Sequence, residues 1–428
     1  MKNIQDFLQY LPALPRMPRP LSQFLCLISL VIFRLIRQLI LLESDLIALL
    51  KRLVAEKRET VEFFNVLSRY QLDSTEPIRE CDFIIFHERF GSFDEITDSR
   101  WHIYCVTNNY VYFGCAPFTD LSIENQENLT VSLFQDTNHV ARMQIDDFLL
   151  QSRQYSKPQD EVVFLYSPPS SGGTRTAKLL QSADATHNSL LVLNEPPAFT
   201  SLTILSRNCS IEIIRQLCAR VVLYLLRHQK RQQTYAVKLR SPSICLIPYI
   251  HEVFPSISHV YISSRSYTHT TEQLLHLTNQ TMPLFQSICN WMNLSLQICD
   301  FFTSWREFEP EIVAKIGPKN DFEFAFSQII AGEISFQLQR KYFAFDRIFF
   351  EDLMADTATT IRPLLEICQI SSLSIPECIE WKRREDETLR RFADALPLTD
   401  EQRKRAQNLA DSLRNLEREI ENSVFLRD

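Results

Sequence analysis

The sequence predicts an α/β fold, in which a parallel β-sheet carries helices on both faces. From residue 161 onward, short apolar runs alternate with helical patterns, and this alternation is typical of parallel sheets. The predicted strands are Val162–Tyr166, Leu190–Asn194, Tyr235–Leu239, Val260–Ser263 and Phe343–Phe349. The predicted helices are Thr176–Gln181, Ile211–Gln229, Ile244–Phe254, Thr271–Leu296, Phe322–Lys341 and Thr359–Cys368.

The composition restricts the class of protein. A chain of 428 residues has room for one large domain or two ordinary ones, and its 45% hydrophobic and 23% charged content is that of a globular protein. The net charge is −7 and no basic arm occurs, so we expect no nucleic-acid partner. The eleven cysteines are scattered and lack the spacing of zinc ligands, so we expect no metal site. We expect most of the thiols to be buried, and a few disulfide bonds stay an open alternative.

Composition shifts predict five regions along the chain. They are a proline-rich tail over 1–20, a hydrophobic helix over 21–42, an N-terminal helix and small aromatic-rich sheet over 43–155, the main α/β domain over 156–398 and a charged helix over 399–428. Within the third region, leucine spacing predicts one long amphipathic helix from Glu43 to Tyr70. Strands are predicted between Cys81 and Pro117, followed by a helix over Asp136–Leu150.

Residues 21–42 are a candidate membrane-associated segment. Their length matches a bilayer core, but the segment contains Arg34 and Arg37. Three interpretations stay open, namely a signal-anchor helix, a helix lying in the membrane surface, and a helix packed within a soluble protein. We therefore expect the chain to be either membrane-associated through 21–42 or cytoplasmic.

The turn SPPSSGG, Ser167 to Gly173, follows the first strand of the alternating half and precedes a helix. The chain has only six glycines, and two of them, Gly172 and Gly173, are adjacent in this turn. Loop amides and a helix N-terminus meeting at one point favour a bound phosphate or sulfate. No lysine follows Gly173, so the turn is not the loop of nucleoside-triphosphate hydrolases, G-x-x-x-x-G-K-[ST].

Four segments in order resemble the sulfotransferase family, whose fold is a P-loop-type parallel sheet. YSPPSSGGTRTAKLL is similar to its 5′-phosphosulfate loop, a strand followed by a P-[KR]-[ST]-G-[ST]-T type turn, and NEPPAF is similar to the Glu-Pro segment of its carbohydrate-type branch. YAVKLRSP with EVFPSISHVYISSR resembles a strand ending in Lys and a later strand ending in Arg. FDRIFFEDLMADTATTIRPLLEICQI resembles the family's late strand, turn and helix, so the likeness spans about half the chain.

The resemblance implies a sulfotransferase that uses PAPS as its sulfate donor and acts on a hydroxyl or amine of a glycan or small molecule. Arg265 would bind the 3′-phosphate of PAPS or of its desulfated product PAP, and Glu195 would be the catalytic base. His187, His228 and His251 are alternative bases without motif support. The residues implied to bind the 5′ end of the donor are Ser170, Ser171, Gly172, Gly173, Thr174, Arg175 and Thr176.

The sequence departs from the family at positions that carry charge. The family has Lys or Arg where this chain has Ser170, and Arg175 replaces it only if its side chain turns back into the site. Gln273 stands where a serine is expected, with Thr270 and Thr271 nearby. Losing a preorganised cation lowers rates by orders of magnitude. A second hypothesis is therefore a non-catalytic relative that binds a nucleotide or a partner, and a third is a membrane-associated scaffold.

Overall fold

The computed structural model describes residues 19–53, 59–71, 77–117, 128–156, 158, 160–184, 189–277 and 321–390. Within these ranges the chain forms two five-stranded sheets, one antiparallel and one parallel. The predicted tail over 1–20 lies almost wholly outside the described residues, and so do the helix over 399–428 and residues 278–296 of the helix predicted over Thr271–Leu296.

The antiparallel sheet has the strand order β2-β1-β5-β4-β3. Helix α1, Arg19–Arg52, packs along β2, and the short helices α2 and α3 flank β5 in the chain. The elements are β1 Val61–Arg69, β2 Phe83–Gly91, β3 Trp101–Val106, β4 Tyr110–Cys115, α2 Leu129–Asp136, β5 His139–Gln144 and α3 Ile145–Gln151.

Two predictions in this half are wrong. The helix predicted from Glu43 to Tyr70 ends at Arg52, and Val61–Arg69 is strand β1, because pairing with β2 and β5 on both sides outweighs the helical spacing of Val61, Phe64 and Leu67. The helix predicted over Asp136–Leu150 is interrupted by β5, which lies between β1 and β4. Only its last part, α3, is helical after β5.

The parallel sheet confirms the predicted fold class. Its strands are β6 Val162–Ser167, β7 Leu190–Asn194, β8 Thr234–Arg240, β9 Ser258–Ser263 and β10 Ile348–Phe349, in the order β10-β9-β6-β8-β7, and every pair is parallel. The strand predicted over Phe343–Phe349 is shorter than expected, since only its last two residues pair with β9, apart from one bridge between Phe343 and His259.

Helices cover both faces of this sheet. The predicted helices are found near their expected places. A further helix, Pro197–Leu205, was not predicted; Pro197 occupies its first helical position, where its missing N–H is harmless. The helices are α4 Gly173–Ser182, α5 Pro197–Leu205, α6 Ile211–Leu225, α7 Ile247–Val253, α8 Tyr267–Leu277, α9 Asp321–Leu338, α10 Phe350–Ala355, α11 Thr357–Thr360, α12 Arg362–Ile367 and α13 Ile375–Arg390.

Alternate side chains of β6 enter two hydrophobic cores. Val163 and Leu165 pack with α4 and α12 on one face, whereas Phe164 and Tyr166 pack with α5 and α6 on the other. The second core continues into the antiparallel sheet, so α5 and α6 lie between the two sheets. All six residues of β6 are buried, which explains why this strand reads as an unbroken apolar run.

The strand order places a topological switch point beside β6. The chain passes from β6 to β7, returns to β8 next to β6, and then crosses to β9 on the other side. In open parallel sheets, ligands bind at the carboxyl ends of strands where the order reverses in this way. The turn after β6 occupies that position.

Among the described residues, none of the helices combines the length and apolarity needed to cross a bilayer.

Candidate functional site

The turn between β6 and α4 presents an uncapped helix N-terminus. Gly172 is the N-cap residue with a left-handed φ of 83°, and none of its atoms can cap the following amides through a side chain. Ser170 also has a left-handed φ, 58°, which is strained for a residue other than glycine. Strained backbone of this kind concentrates at ligand-binding turns.

Both glycines are required by close packing around the turn. A Cβ on Gly172 would lie 2.2 Å from the ring of Phe350, and a Cβ on Gly173 would lie 2.0 Å from Ser167 Oγ and 2.9 Å from Lys238 Cε. The Ser167 hydroxyl is buried at the end of β6 and has no hydrogen-bond partner among the described residues. An unpaired buried hydroxyl beside free helix amides is an arrangement that an oxyanion would satisfy.

Two cations reach this edge from β8. In the sheet register Lys238 lies opposite Leu165 and Arg240 opposite Ser167, so both follow the same face at the carboxyl end of β8. Lys238 is almost fully buried, with 6% of its side chain exposed, and its Cε lies next to Gly173. The prediction from sequence missed these residues as site residues, although the alternation Lys238-Leu239-Arg240 after an apolar run was a usable signal.

Glu195 holds both cations in place. Its Oε1 accepts a hydrogen bond from Lys238 Nζ, and its Oε2 accepts bonds from Arg240 Nε at 2.9 Å and from Asn128 Nδ2 at 3.0 Å. Its backbone is fixed too, since its N–H donates to the Lys238 carbonyl at 2.8 Å and its carbonyl accepts from Thr130 Oγ1 at 2.7 Å. Glu195 also has a left-handed φ, 55°.

The charge state of Glu195 follows from these contacts. Burial alone would raise the pKa of Glu195, but the charges of Lys238 and Arg240, with their hydrogen bonds, outweigh burial and hold the pKa well below its usual range. A carboxylate with so low a pKa is a weak proton acceptor at neutral pH. The geometry therefore counts against the predicted role of Glu195 as catalytic base and favours a role in positioning the two cations.

Arg175 does not turn back into the site. Its Nη2 donates to Asp386 Oδ1 of α13 at 3.0 Å, and its guanidinium lies 5.5 Å from the centre of the Phe350 ring. It therefore does not replace the Lys or Arg that was expected at the position of Ser170. The charge near the turn comes from Lys238 instead.

Arg265 lies just after β9, as predicted, but it is engaged by a carboxylate. Its Nε and Nη2 donate to the two oxygens of Asp352 at 2.8 and 2.6 Å, and its guanidinium stacks 4.1 Å from the centre of the Phe349 ring. The side chain is 55% exposed. The fork geometry of this pair is the one that Arg also uses for phosphate.

The predicted hydroxyl residues mostly stabilise the turn itself. Ser171 Oγ donates to the Pro168 carbonyl at 2.7 Å, and Thr176 Oγ1 donates to the Gly172 carbonyl at 3.1 Å. Thr174 is half-buried in the first turn of α4. Thr270 and Thr271, the suggested replacements for a missing serine, donate to backbone carbonyls within α8 and its N-terminal turn.

The alternative histidine bases gain no support. His228 Nε2 lies 3.0 Å from the Thr97 carbonyl, and the His251 ring packs against Tyr342. His187 lies outside the described residues. No cluster of three or more potential metal ligands occurs within the described part of the chain.

Comparisons with known proteins add little to this geometry. No protein-family model matches the chain, and no curated protein matches it significantly. Among solved structures, the chain is similar to one titled "Sulfotransferase Domain from the Curacin Biosynthetic Pathway", with 11% identity, a TM-score of 0.30, and coverage of 50% of this chain and 76% of that one. At so low a TM-score the likeness says nothing about the ligand or reaction of this chain.

Proposed function

We propose that this chain is a divergent sulfotransferase-like protein that binds PAPS through the turn between β6 and α4 and transfers its sulfate to a hydroxyl or amine of a glycan or small molecule. The observation that carries the proposal is the uncapped start of α4, where the unpaired hydroxyl of Ser167 and the buried Lys238 flank Gly173. Free amides, a hydroxyl and an ammonium are the groups that bind a sulfate or phosphate.

Lys238 supplies the positive charge that the turn lacks at Ser170. In sulfuryl transfer the acceptor oxygen or nitrogen bonds to sulfur, the bond from sulfur to the bridging oxygen breaks, and its electron pair leaves with PAP. Charge therefore develops on the bridging oxygen, and a fixed ammonium beside it stabilises the transition state. Glu195 positions Lys238 and Arg240 for this role, and the base that takes the acceptor proton is a different group.

Arg265 binds the 3′-phosphate by exchanging partners. Its pair with Asp352 is exposed, so solvent screens it and little stability is lost when it opens. The phosphate offers the same bidentate geometry with greater charge. Asp352 thus pairs with Arg265 until the 3′-phosphate displaces it.

The second candidate is a non-catalytic protein that binds PAP or another nucleotide at the same turn. Two observations favour it, since Arg175 is paired with Asp386 and the Phe350 ring lies against Gly172 at the mouth of the turn. Both hypotheses predict nucleotide binding, and they differ in turnover only.

Calorimetry with PAP and the full chain tests the binding step. Arg265→Ala should weaken PAP binding by about tenfold or more, since it removes charged hydrogen bonds to phosphate. Asp352→Asn should strengthen binding, because it removes the competing carboxylate. An absence of PAP binding by the unaltered protein at millimolar PAP rules out the donor site. If both variants change PAP affinity in the same direction, Arg265 does not exchange Asp352 for the 3′-phosphate.

Release of PAP from PAPS separates the two candidates. We expect release when hydroxyl- and amine-bearing glycans or small molecules are supplied, and a loss of release in Lys238→Met. Binding of PAP without release from PAPS for any acceptor, in protein with or without Glu195→Gln, establishes the non-catalytic alternative.

A further inference from the structure

Helix α1 carries a second apolar face that the fold does not use. Its inner face packs on the antiparallel sheet through Leu30 and Phe33, with Arg37 Nε donating to the Phe83 carbonyl at 3.0 Å and Ser44 Oγ accepting from the His87 amide at 2.7 Å. The opposite face is exposed along its whole described length. Its large apolar side chains, each between 38% and 73% exposed, are Leu25, Ile28, Ile32, Leu35, Leu39, Leu42, Leu46 and Leu49, and the exposed Ile36 and Leu50 lie beside them.

These eight side chains follow a heptad spacing, and Ile36 and Leu50 widen the face on one side. Successive residues are three and four positions apart in alternation, from Leu25 through Leu49, and the exposed Leu53 just after the helix continues the series. Apolar residues at alternating steps of three and four over four heptads are typical of helices that pack together in a left-handed supercoil. A helix that only lies on a surface has no need to keep this repeat.

From this pattern we infer that α1 is a self-association surface, and that its outer face packs against α1 of a second copy of the chain. Each Leu or Ile brings on the order of 100 Å² of apolar surface, so eight of them bring about 800 Å² per partner, the size of a stable protein interface. The inner face stays on the antiparallel sheet, so the two bodies would project from opposite sides of the helix pair.

The charges beside the face favour a second copy over a lipid surface. Two carboxylates, Glu43 and Asp45, and one cation, Arg52, border it and are exposed, with Asp45 paired to Arg142, and the whole chain carries a net charge of −7. An anionic bilayer would repel these carboxylates. In a helix pair the same flanking positions are ordinarily charged and face solvent.

Sedimentation of the full-length protein tests this inference. We expect a dimer at micromolar concentration. Leu35→Glu combined with Leu42→Glu should weaken self-association by about a hundredfold or more, because a carboxylate cannot be buried unpaired in the seam. Leu373→Glu, at a leucine that is 84% exposed outside α1, is the matched control and should leave the assembly unchanged.

The result of the sedimentation experiment is independent of PAP binding, since none of these substitutions lies in the turn after β6. Circular dichroism should show unchanged secondary structure in all variants, because the replaced side chains are exposed. A monomer at all concentrations overturns the inference, and a monomer that sediments with anionic vesicles through the same leucines assigns the face to lipid instead. An oligomer that Leu35→Glu with Leu42→Glu leaves intact also overturns it.

Discussion

A buried carboxylate lies beside each of the two sheets, and the surroundings shift the pKa values of these two carboxylates in opposite directions. Asp82, beside the antiparallel sheet, accepts hydrogen bonds from neutral donors; its Oδ2 accepts from Gln71 Nε2 and the Arg79 amide at 2.8 Å and from Tyr104 OH at 3.1 Å. Glu195, beside the parallel sheet, is surrounded by two cations. Burial raises the pKa of Asp82 to about 6, whereas Lys238 and Arg240 override burial at Glu195 and lower its pKa.

The opposite pKa shifts distinguish Asp82, a carboxylate that stabilises packing, from Glu195, a carboxylate that positions two cations. Three neutral donors can hold Asp82 in either protonation state, so this network only fixes the packing of the sheet edge. The three charged groups at Glu195 leave a net positive charge next to an uncapped helix N-terminus. Convergent positive charge at the carboxyl edge of a parallel sheet is what an anionic ligand requires.

Neutralising Glu195 should have the largest effect on stability. Glu195→Gln leaves Lys238 and Arg240 nearly buried without an anion, so we expect a loss of about 3–5 kcal/mol in the free energy of unfolding, measured with urea. The exposed pair of Glu212 and Arg215 provides a matched control, and Glu212→Gln should change stability by no more than about 0.5 kcal/mol. Equal losses in the two variants would show that Glu195 has no special role.

Replacing Asp82 should change the pH dependence of stability instead. The folded-state pKa of about 6 lies above the ordinary value of 3.8, so between these pH values the folded protein retains a proton that the unfolded chain has lost. The contribution of Asp82 to stability therefore falls as pH rises through this window, by about 3 kcal/mol in total. Asp82→Asn should remove this contribution, so the stability of the variant relative to the unaltered protein should rise with pH across the window and be at least equal at neutral pH.

Glu195 acts in the opposite direction and mostly at lower pH, overlapping only the acid end of that window. Its lowered pKa contributes stability that is present above its ordinary value of 4.5 and is lost only as pH falls further. Burial lowers the pKa of His102 and of His259 to about 3, so these two side chains also act against Asp82 below about pH 6.5. The difference between Asp82→Asn and the unaltered protein, measured by urea unfolding at a series of pH values from 5 to 7, isolates Asp82. A slope that persists unchanged in Asp82→Asn would contradict the assignment of the shift to this residue.

The parallel sheet was largely predictable from the sequence, and the antiparallel sheet only in part. Strands β2, β3 and β4 lie where strands were predicted, whereas β1 and β5 lie in predicted helices. Strands β6 to β9 are buried on both faces, so they appear as short apolar runs whose type is set locally. In β1, by contrast, the spacing of Val61, Phe64 and Leu67 also fits a helix, and only pairing with distant strands decides. The conformation of β1 is therefore a tertiary property.

The site was predicted in part for the same reason. The turn after β6 is a local feature, and its two glycines in a glycine-poor chain indicated it. The position of Lys238 beside Gly173 depends on β8 pairing with β6, which follows from the strand order and from no local pattern. The directions of Arg175 and Arg265 likewise depend on Asp386 and Asp352, which come from far along the chain.

The most direct test of the donor site is PAP affinity in a matched pair of lysine variants. Lys238 lies near the carboxyl end of β8 beside the turn, and Lys230 lies before its amino end and is exposed. We predict by calorimetry that Lys238→Met weakens PAP binding by about ten- to a hundredfold, the worth of a hydrogen bond to a charged group, while Lys230→Met leaves it unchanged. Equal PAP affinity in folded Lys238→Met and the unaltered protein would contradict the proposed site.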